Sequence, residues 1–347
     1  MAKYIKIAGR KIGKDYDPVI IAEIGINHDG NLEIAKEMVD AAYNAGIEII
    51  KHQTHIPEEE LSPLAKEMKM SNTDNINLFD SLEKICLTES EEKELKKYVE
   101  KKGMIFISAP FSFAAVDRLE RMGIQAYKIS SSQMNNYPLV EYVASTRKPI
   151  IMSTGMNDIE GVKKAVKTIE RYHDNYAILH CTNIYPTPAD KIRLNAMKEL
   201  EETFDDAIIG LSDHSLNNNS SYAALALGAS IIERHFTDRK DRIGKDIPWS
   251  MTPEEAKLLL NYSKDIRKMK HGKKQALEEE KEFIELTFNT VVTKRPIRKG
   301  SIITKDDLTT KGPNKSGIPA EDLYKVVWKK AIRNLEKNYH LKWEDIS

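Results

Sequence analysis

The first 270 residues repeat one pattern, a short β-branched run followed by an amphipathic helical stretch, and that alternation predicts an α/β fold, a (β/α)8 TIM barrel. Two further observations sharpen the prediction. The GxGxxG turn of a dinucleotide-binding sheet is missing after the first strand candidate, where the chain reads EIGINHDG, which leaves a doubly wound open sheet as the runner-up. Charge then changes sign late in the chain. Residues 285–347 carry 13 Lys and Arg against 8 Asp and Glu, a net of +5, and the preceding residues a net of −5. The expected organisation is a catalytic barrel over 1–272, a linker without apolar periodicity over 273–284, and a small C-terminal domain over 285–347.

The strand candidates, in order, are 19–24, 47–53, 104–108, 124–129, 149–153, 176–181, 207–211 and 229–233. Most are short Ile- and Val-bearing runs of the kind buried on both faces in a parallel sheet. The helical stretches between and after them are 32–45, 88–100, 113–122, 138–145, 159–169, 194–202, 220–227 and 253–269. In the first, LEIAKEMVDAAYNA places Ile34, Met38, Ala41 and Ala42 on one face. Gly46, Gly103, Gly123 and Gly228 fall where a helix ends on a left-handed cap.

Composition bounds the function. With 53 basic and 53 acidic residues, bulk charge does not drive the chain onto nucleic acid or an anionic membrane. Apolar runs stay under ten residues, as at 18–22, so none is expected to span a bilayer. The N-terminal MAKYIKIAGRKIGKDYD lacks a secretory pattern, and two cysteines, Cys86 and Cys181, supply neither a disulfide framework nor a cysteine zinc site. A cytoplasmic enzyme is the expectation.

The strand ends point to chemistry, because a barrel carries its reactive groups at the C-terminal ends of its strands. Here they run out into Glu23, Asn27 and His28; Lys51 and Gln53; Ser108; Lys128, Ser131 and Gln133; Ser153; His180, Asn183 and Tyr185; Ser212 and His214; and Glu233 and His235. Lys51 and Lys128, with Ser131, Ser153, Asn183 and Ser212, suit a phosphate or carboxylate. A Schiff-base lysine is the competing role. His214 and His235, on adjacent strands, suit a divalent metal with open positions. His52 alternates away from Lys51 and Gln53 and is expected to face the helices.

The segments IAEIGINHDG, IIKHQTHI, GMIFISAPFS, AYKISSSQMNNYPL, IIMSTGMNDIE, ILHCTNIYPTP, IIGLSDHS, IIERHFTDR and DIPWSM resemble the bacterial sialic acid synthases in order and spacing. The tail, with VVTKRPIRKGSIITKDDL and GIPAEDLYKVVWKKAIRNLEKNYHLKWEDI, is similar to their C-terminal antifreeze-like (SAF, β-clip) domain. The resemblance implies an N-acetylneuraminate synthase, condensing phosphoenolpyruvate with an open-chain N-acetylmannosamine-type sugar to give a nine-carbon 2-keto acid and phosphate. It also implies a homodimer whose C-terminal domain covers the partner's barrel mouth. By family position Lys51, Lys128, Ser131, Ser153, Asn183 and Ser212 hold phosphoenolpyruvate, and His214 and His235 hold Mn²⁺ or Mg²⁺. Glu23, Gln53, Tyr185, Asp246 and, in a long loop, Asn72 serve the sugar or a proton transfer.

Two departures bear on the sugar. Family members often carry an acidic residue where this chain has Gln133, and glutamine cannot titrate. Well-studied members read Lys-Arg-Pro where this chain has Lys311-Gly312-Pro313, which removes a fixed fork of donors and leaves Lys315 as the nearby cation. A diacetamido-trideoxy sugar, leading to legionaminic or pseudaminic acid, is the alternative substrate. Readings outside this activity are a metal-dependent pyruvate aldolase and a non-catalytic sugar- or ice-binding protein.

Overall fold

A computed structural model describes residues 3–68, 76–313 and 316–347. They divide into two compact units, Met1–His271 and Gly272–Ser347. In the first, strands β1 (Tyr4–Ile7) and β2 (Arg10–Gly13) form an antiparallel hairpin. Eight parallel strands then close a barrel: β3 (Val19–Gly25), β4 (Ile49–Thr54), β5 (Ile105–Pro110), β6 (Tyr127–Ile129), β7 (Ile150–Ser153), β8 (Tyr176–Cys181), β9 (Ile208–Asp213) and β10 (Ile231–His235), with β10 pairing back onto β3. The expected eight-stranded barrel is therefore present, and the open sheet is not.

The helices form where capping and periodicity place them. Asn31 accepts from the backbone N–H groups of Glu33 and Ile34 to start the helix Leu32–Ala45, and Gly46 ends it at φ 92°. Thr88 with Glu91, and Thr252 with Glu255 behind Pro253, are capping boxes that open Glu89–Lys101 and Pro253–Met269. Gly103, Gly123 and Gly228 also adopt positive φ.

Period-two alternation splits the core in two. Outward-facing Ile20, Ala22, Ile24 and Ile50 pack against helix residues such as Met38 and Val39. Inward-facing Val19, Ile21, Ile49, Ile107, Ile151, Leu179 and Ile231 fill the barrel together with Ile5, Ile7 and Ile12 of the hairpin. Those three isoleucines are fully buried, each contributing about 2 kcal/mol. The hairpin thus closes the end of the barrel at which the strands begin. It turns at Ala8 and Gly9, both at positive φ, as a tight two-residue turn requires. No helix among the described residues is long and apolar enough to cross a membrane.

The second unit holds a two-stranded antiparallel sheet, β11 (Thr290–Thr293) with β12 (Leu308–Lys311). Its core gathers Val291, Ile297, Ile303, Leu308, Ile318, Val326, Ala331, Leu335, Leu341 and Ile346. Residues 273–284, expected to be a linker, are exposed apart from half-buried Ile284, and a short helix, Lys281–Thr287, starts within them.

Candidate active site

The alternation that puts isoleucines in the lower barrel puts polar groups above them on the same inner face: Glu23 over Ile21, Lys51 and Gln53 over Ile49, Lys128 over Ala126, Ser153 over Ile151, Ser212 and His214 over Gly210, and Glu233 and His235 over Ile231. Near these ends lies a cavity of about 210 Å³ lined by Lys51, Gln53, Phe111, Lys128, Ser130, Ser131, Ser132, Ser153, Cys181, Asn183, Tyr185, Ser212, His214, Glu233, His235 and Asp246. A larger cavity, about 300 Å³, lies at the hairpin end beside Gly13, Ser230 and Ile266, and no residue from the C-terminal strand ends lines it.

Charge is concentrated at the cavity floor. Lys128 Nζ donates to Ser153 Oγ (2.6 Å) and to the Ile129 carbonyl (3.1 Å). Glu233 Oε1 lies 3.6 Å from Lys128 Nζ and 3.7 Å from Lys51 Nζ, while Lys51 also pairs with Glu23. Burial pulls the Lys51 ammonium down to about 8, with Glu233 opposing the shift, so it remains charged at neutral pH. Burial alone would raise Glu233, but the Lys128 and Lys51 ammoniums hold it below the usual carboxylate range. Glu233 Oε2 has no hydrogen-bond partner among the described residues.

Beside the ammoniums, hydroxyl and amide groups converge. The Gly155 N–H donates to Ser131 Oγ at 3.0 Å. A Cβ at 155 would lie 2.0 Å from Asn183 Oδ1 and 2.9 Å from Ser131 Oγ, so only glycine lets these two side chains close over the backbone. Two cations ringed by Ser131, Ser153, Asn183 and Ser212 form a cradle for a multiply charged oxyanion.

The imidazoles occupy the opposite wall. The His214 and His235 ring centroids are 5.4 Å apart, and Tyr185 packs 4.2 Å from His214. The His214 Nδ1–H donates to the Thr182 carbonyl at 3.0 Å, which leaves Nε2 its lone pair, the arrangement of a metal-binding histidine. His235 Nδ1 has no hydrogen-bond partner among the described residues and sits 3.3 Å from Asp246 Oδ2. Burial pushes Asp246 up to about 6 and His235 well below its ordinary value. Among the described residues no three His, Cys, Asp or Glu side chains group as a closed metal site. Two imidazoles with open positions fit an ion whose other ligands are substrate and water.

The remaining sequence expectations divide. Glu23 sits behind Lys51 rather than on the cavity wall. Gln133 lies outside the lining too and accepts from Asn136 Nδ2 at 3.1 Å. Asn72 and Lys315 fall outside the described residues. Ser108, read as a mouth residue, faces the helices instead, because Ile107 takes the inner position; it shares a 2.8 Å hydrogen bond with Thr54. His180 likewise turns outward to the Ile192 carbonyl. His52 is buried against His28 and Phe106 on the helix side, as alternation requires. Glu233, read as a strand-end residue, lines the cavity, and so do Cys181 and Phe111, which were not given a role at the site; Cys181 stands two residues before Asn183, and that spacing was the available signal.

Comparison with known proteins gives the family context of this fold. The model of the NeuB family matches residues 38–275, and that of the SAF domain residues 288–347. An uncharacterised protein of Methanocaldococcus jannaschii is 38% identical over 99% of this chain and 98% of its own length. An N,N'-diacetyllegionaminic acid synthase of Campylobacter jejuni is 34% identical over 92% of this chain and 97% of its own. The crystal structure of N-acetylneuraminic acid (sialic acid) synthetase from Leptospira borgpetersenii, in complex with citrate, superposes with a TM-score of 0.74 at 30% identity, covering 82% of this chain and 96% of that one.

Proposed function

This chain belongs to the NeuB family, with a C-terminal SAF domain, and on that premise we propose that it is a transferase condensing phosphoenolpyruvate with an open-chain N-acetylmannosamine-type sugar. The observation that carries the reading is the floor of one cavity, where Lys51 and Lys128 stand beside Ser131, Ser153, Asn183 and Ser212, with two imidazoles opposite.

In this reading Lys128, Ser131, Ser153, Asn183 and Ser212 bind phosphate oxygens, and Lys51 balances the remaining negative charge of phosphoenolpyruvate. C3 of the enol attacks the sugar aldehyde and forms the new C–C bond. Water adds at C2, and the tetrahedral intermediate loses phosphate by C–O cleavage, so enol, aldehyde and water become 2-keto acid and phosphate. His214 and His235 would hold Mn²⁺ or Mg²⁺, which supplies Lewis acidity to the aldehyde oxygen. Gln53, Tyr185 and Asp246 face the sugar, and Asn72 and Gln133 are placed with them by resemblance. Glu23, paired with Lys51, and Glu233 are the carboxylates closest to the ammoniums and serve proton movement. The C-terminal unit serves the partner's site in a homodimer, in the cytoplasm.

A second sugar, the diacetamido-trideoxy hexose that leads to legionaminic acid, is favoured by the Campylobacter relative's named activity. An assay of phosphate release across a panel of 2-acetamido and 2,4-diacetamido sugars, with mass spectrometry of the product, separates the two. Release is expected to need both a sugar and a divalent ion. Turnover untouched by a chelator would remove the metal role of His214 and His235. Borohydride trapping of a pyruvate adduct on Lys51 or Lys128, without phosphate release, would instead establish an aldolase.

A further inference from the structure

Gln53 lines the cavity, but its amide is oriented from behind by groups that do not line it. His55 Nε2 lies 3.1 Å from Gln53 Oε1, and His55 Nδ1 lies 2.8 Å from Glu60 Oε2. Both contacts are shielded: the His55 side chain is 7% exposed and Glu60 12%. The imidazole is clamped face-on to Phe111, with ring centroids 4.0 Å apart, and Phe111 itself lines the cavity.

Both ring nitrogens of His55 are engaged, Nδ1 with the Glu60 carboxylate and Nε2 with the Gln53 amide, so the imidazole ties that amide to the short helix Pro57–Glu60. The other end of the amide is confined as well. A Cβ at Gly25 would lie 2.5 Å from Gln53 Nε2 and 2.3 Å from Glu23 Oε1, so only glycine leaves room for both side chains there. The Gln53 side chain is thus held between His55 on one side and Gly25 on the other.

We propose that His55, fixed by Glu60 and stacked on Phe111, is a positioning residue that locks the Gln53 amide in place for a sugar oxygen, and so sets selectivity for the sugar rather than for phosphoenolpyruvate. The assignment rests on the synthase reading only for the identity of the ligand; the placement of the amide stands apart from it.

His55→Phe keeps a ring to stack on Phe111 and removes both ring nitrogens, and His55→Gln retains an amide able to reach position 53. In steady-state assays of phosphate release, His55→Phe is expected to raise the sugar KM about tenfold, the effect of losing roughly one orienting hydrogen bond, with the phosphoenolpyruvate KM within twofold. His55→Gln is expected to recover part of the loss, and Glu60→Gln to show a smaller rise of the same kind. Equal changes in both KM values, or none, would overturn the selectivity role. Crystal structures of the wild type and His55→Phe provide a readout that needs no turnover. The Gln53 amide is expected to rotate or take two conformations in the variant, and an unchanged amide would overturn the positioning role even if the wild type proved to have another substrate. A wild type that releases no phosphate with any sugar, combined with a rotated amide, would sink the synthase reading and leave the positioning role standing.

Discussion

At the scale of single residues, the site depends on charges placed where water is largely excluded. Lys51 and Lys128 are 4% and 1% exposed, and each is held by a carboxylate or hydroxyl rather than by solvent. Replacing either by alanine should lower kcat/KM for phosphoenolpyruvate by roughly 10²-fold or more, the usual effect of losing a preorganised charged donor; wild-type kinetics would remove that residue from the anion cradle. Gly155 makes a quieter contribution. Gly155→Ala forces Asn183 Oδ1 and Ser131 Oγ away from the backbone, so the phosphoenolpyruvate KM is expected to rise roughly tenfold, about 1.4 kcal/mol, with little change in thermal stability. Lysines at strand ends are conspicuous in the sequence because IIKHQ and AYKIS offer no reason for a surface side chain. The His55–Glu60 pair was not legible, because Glu60 reaches His55 from a separate short helix, Pro57–Glu60, whose placement no periodicity reports.

At the scale of elements, β4 carries two jobs on two faces. Its inner residues, Ile49, Lys51 and Gln53, run from core to site, while its outer residue His52 stacks on His28 at 5.4 Å. Burial lowers His28 to about 4 and His52 well below its ordinary value. A base whose folded pKa is depressed binds fewer protons in the fold than in the unfolded chain, so this pair costs nothing above pH 6.5 and progressively destabilises the fold as pH falls from about 6.5 toward 4. The melting temperature should drop over that window, and His28→Asn should flatten the drop; a wild-type melting profile level from pH 6.5 to 4 would contradict it. Element boundaries were readable where caps and glycines punctuate them, as at Asn31 and Gly46. The N-terminal hairpin was not read, although YIKIAGRKIG alternates around a turn, because nothing in the local pattern says what its isoleucines will meet.

At the scale of the whole molecule, the chain is two compact units with separate cores. If the C-terminal unit serves the sugar site, deleting residues 285–347 should damage sugar use far more than phosphoenolpyruvate binding, measured by KM for each and by calorimetry with phosphoenolpyruvate alone; a fully active truncated barrel would remove that role. The alternation of strands and helices determined the barrel by itself, since residues buried on two faces of a parallel sheet must be apolar and the helices must show one apolar stripe. The long motifs determined the family. Which face each strand-end residue takes followed only once the register was set, because a one-residue step reverses inside and outside; Ser108 turned away on that account, and Glu233 turned in between the two lysines. Hydrogen bonds between groups far apart along the chain, and the hairpin that closes the barrel, were decided by tertiary packing alone, since their partners are chosen by proximity in space and leave no period in the sequence.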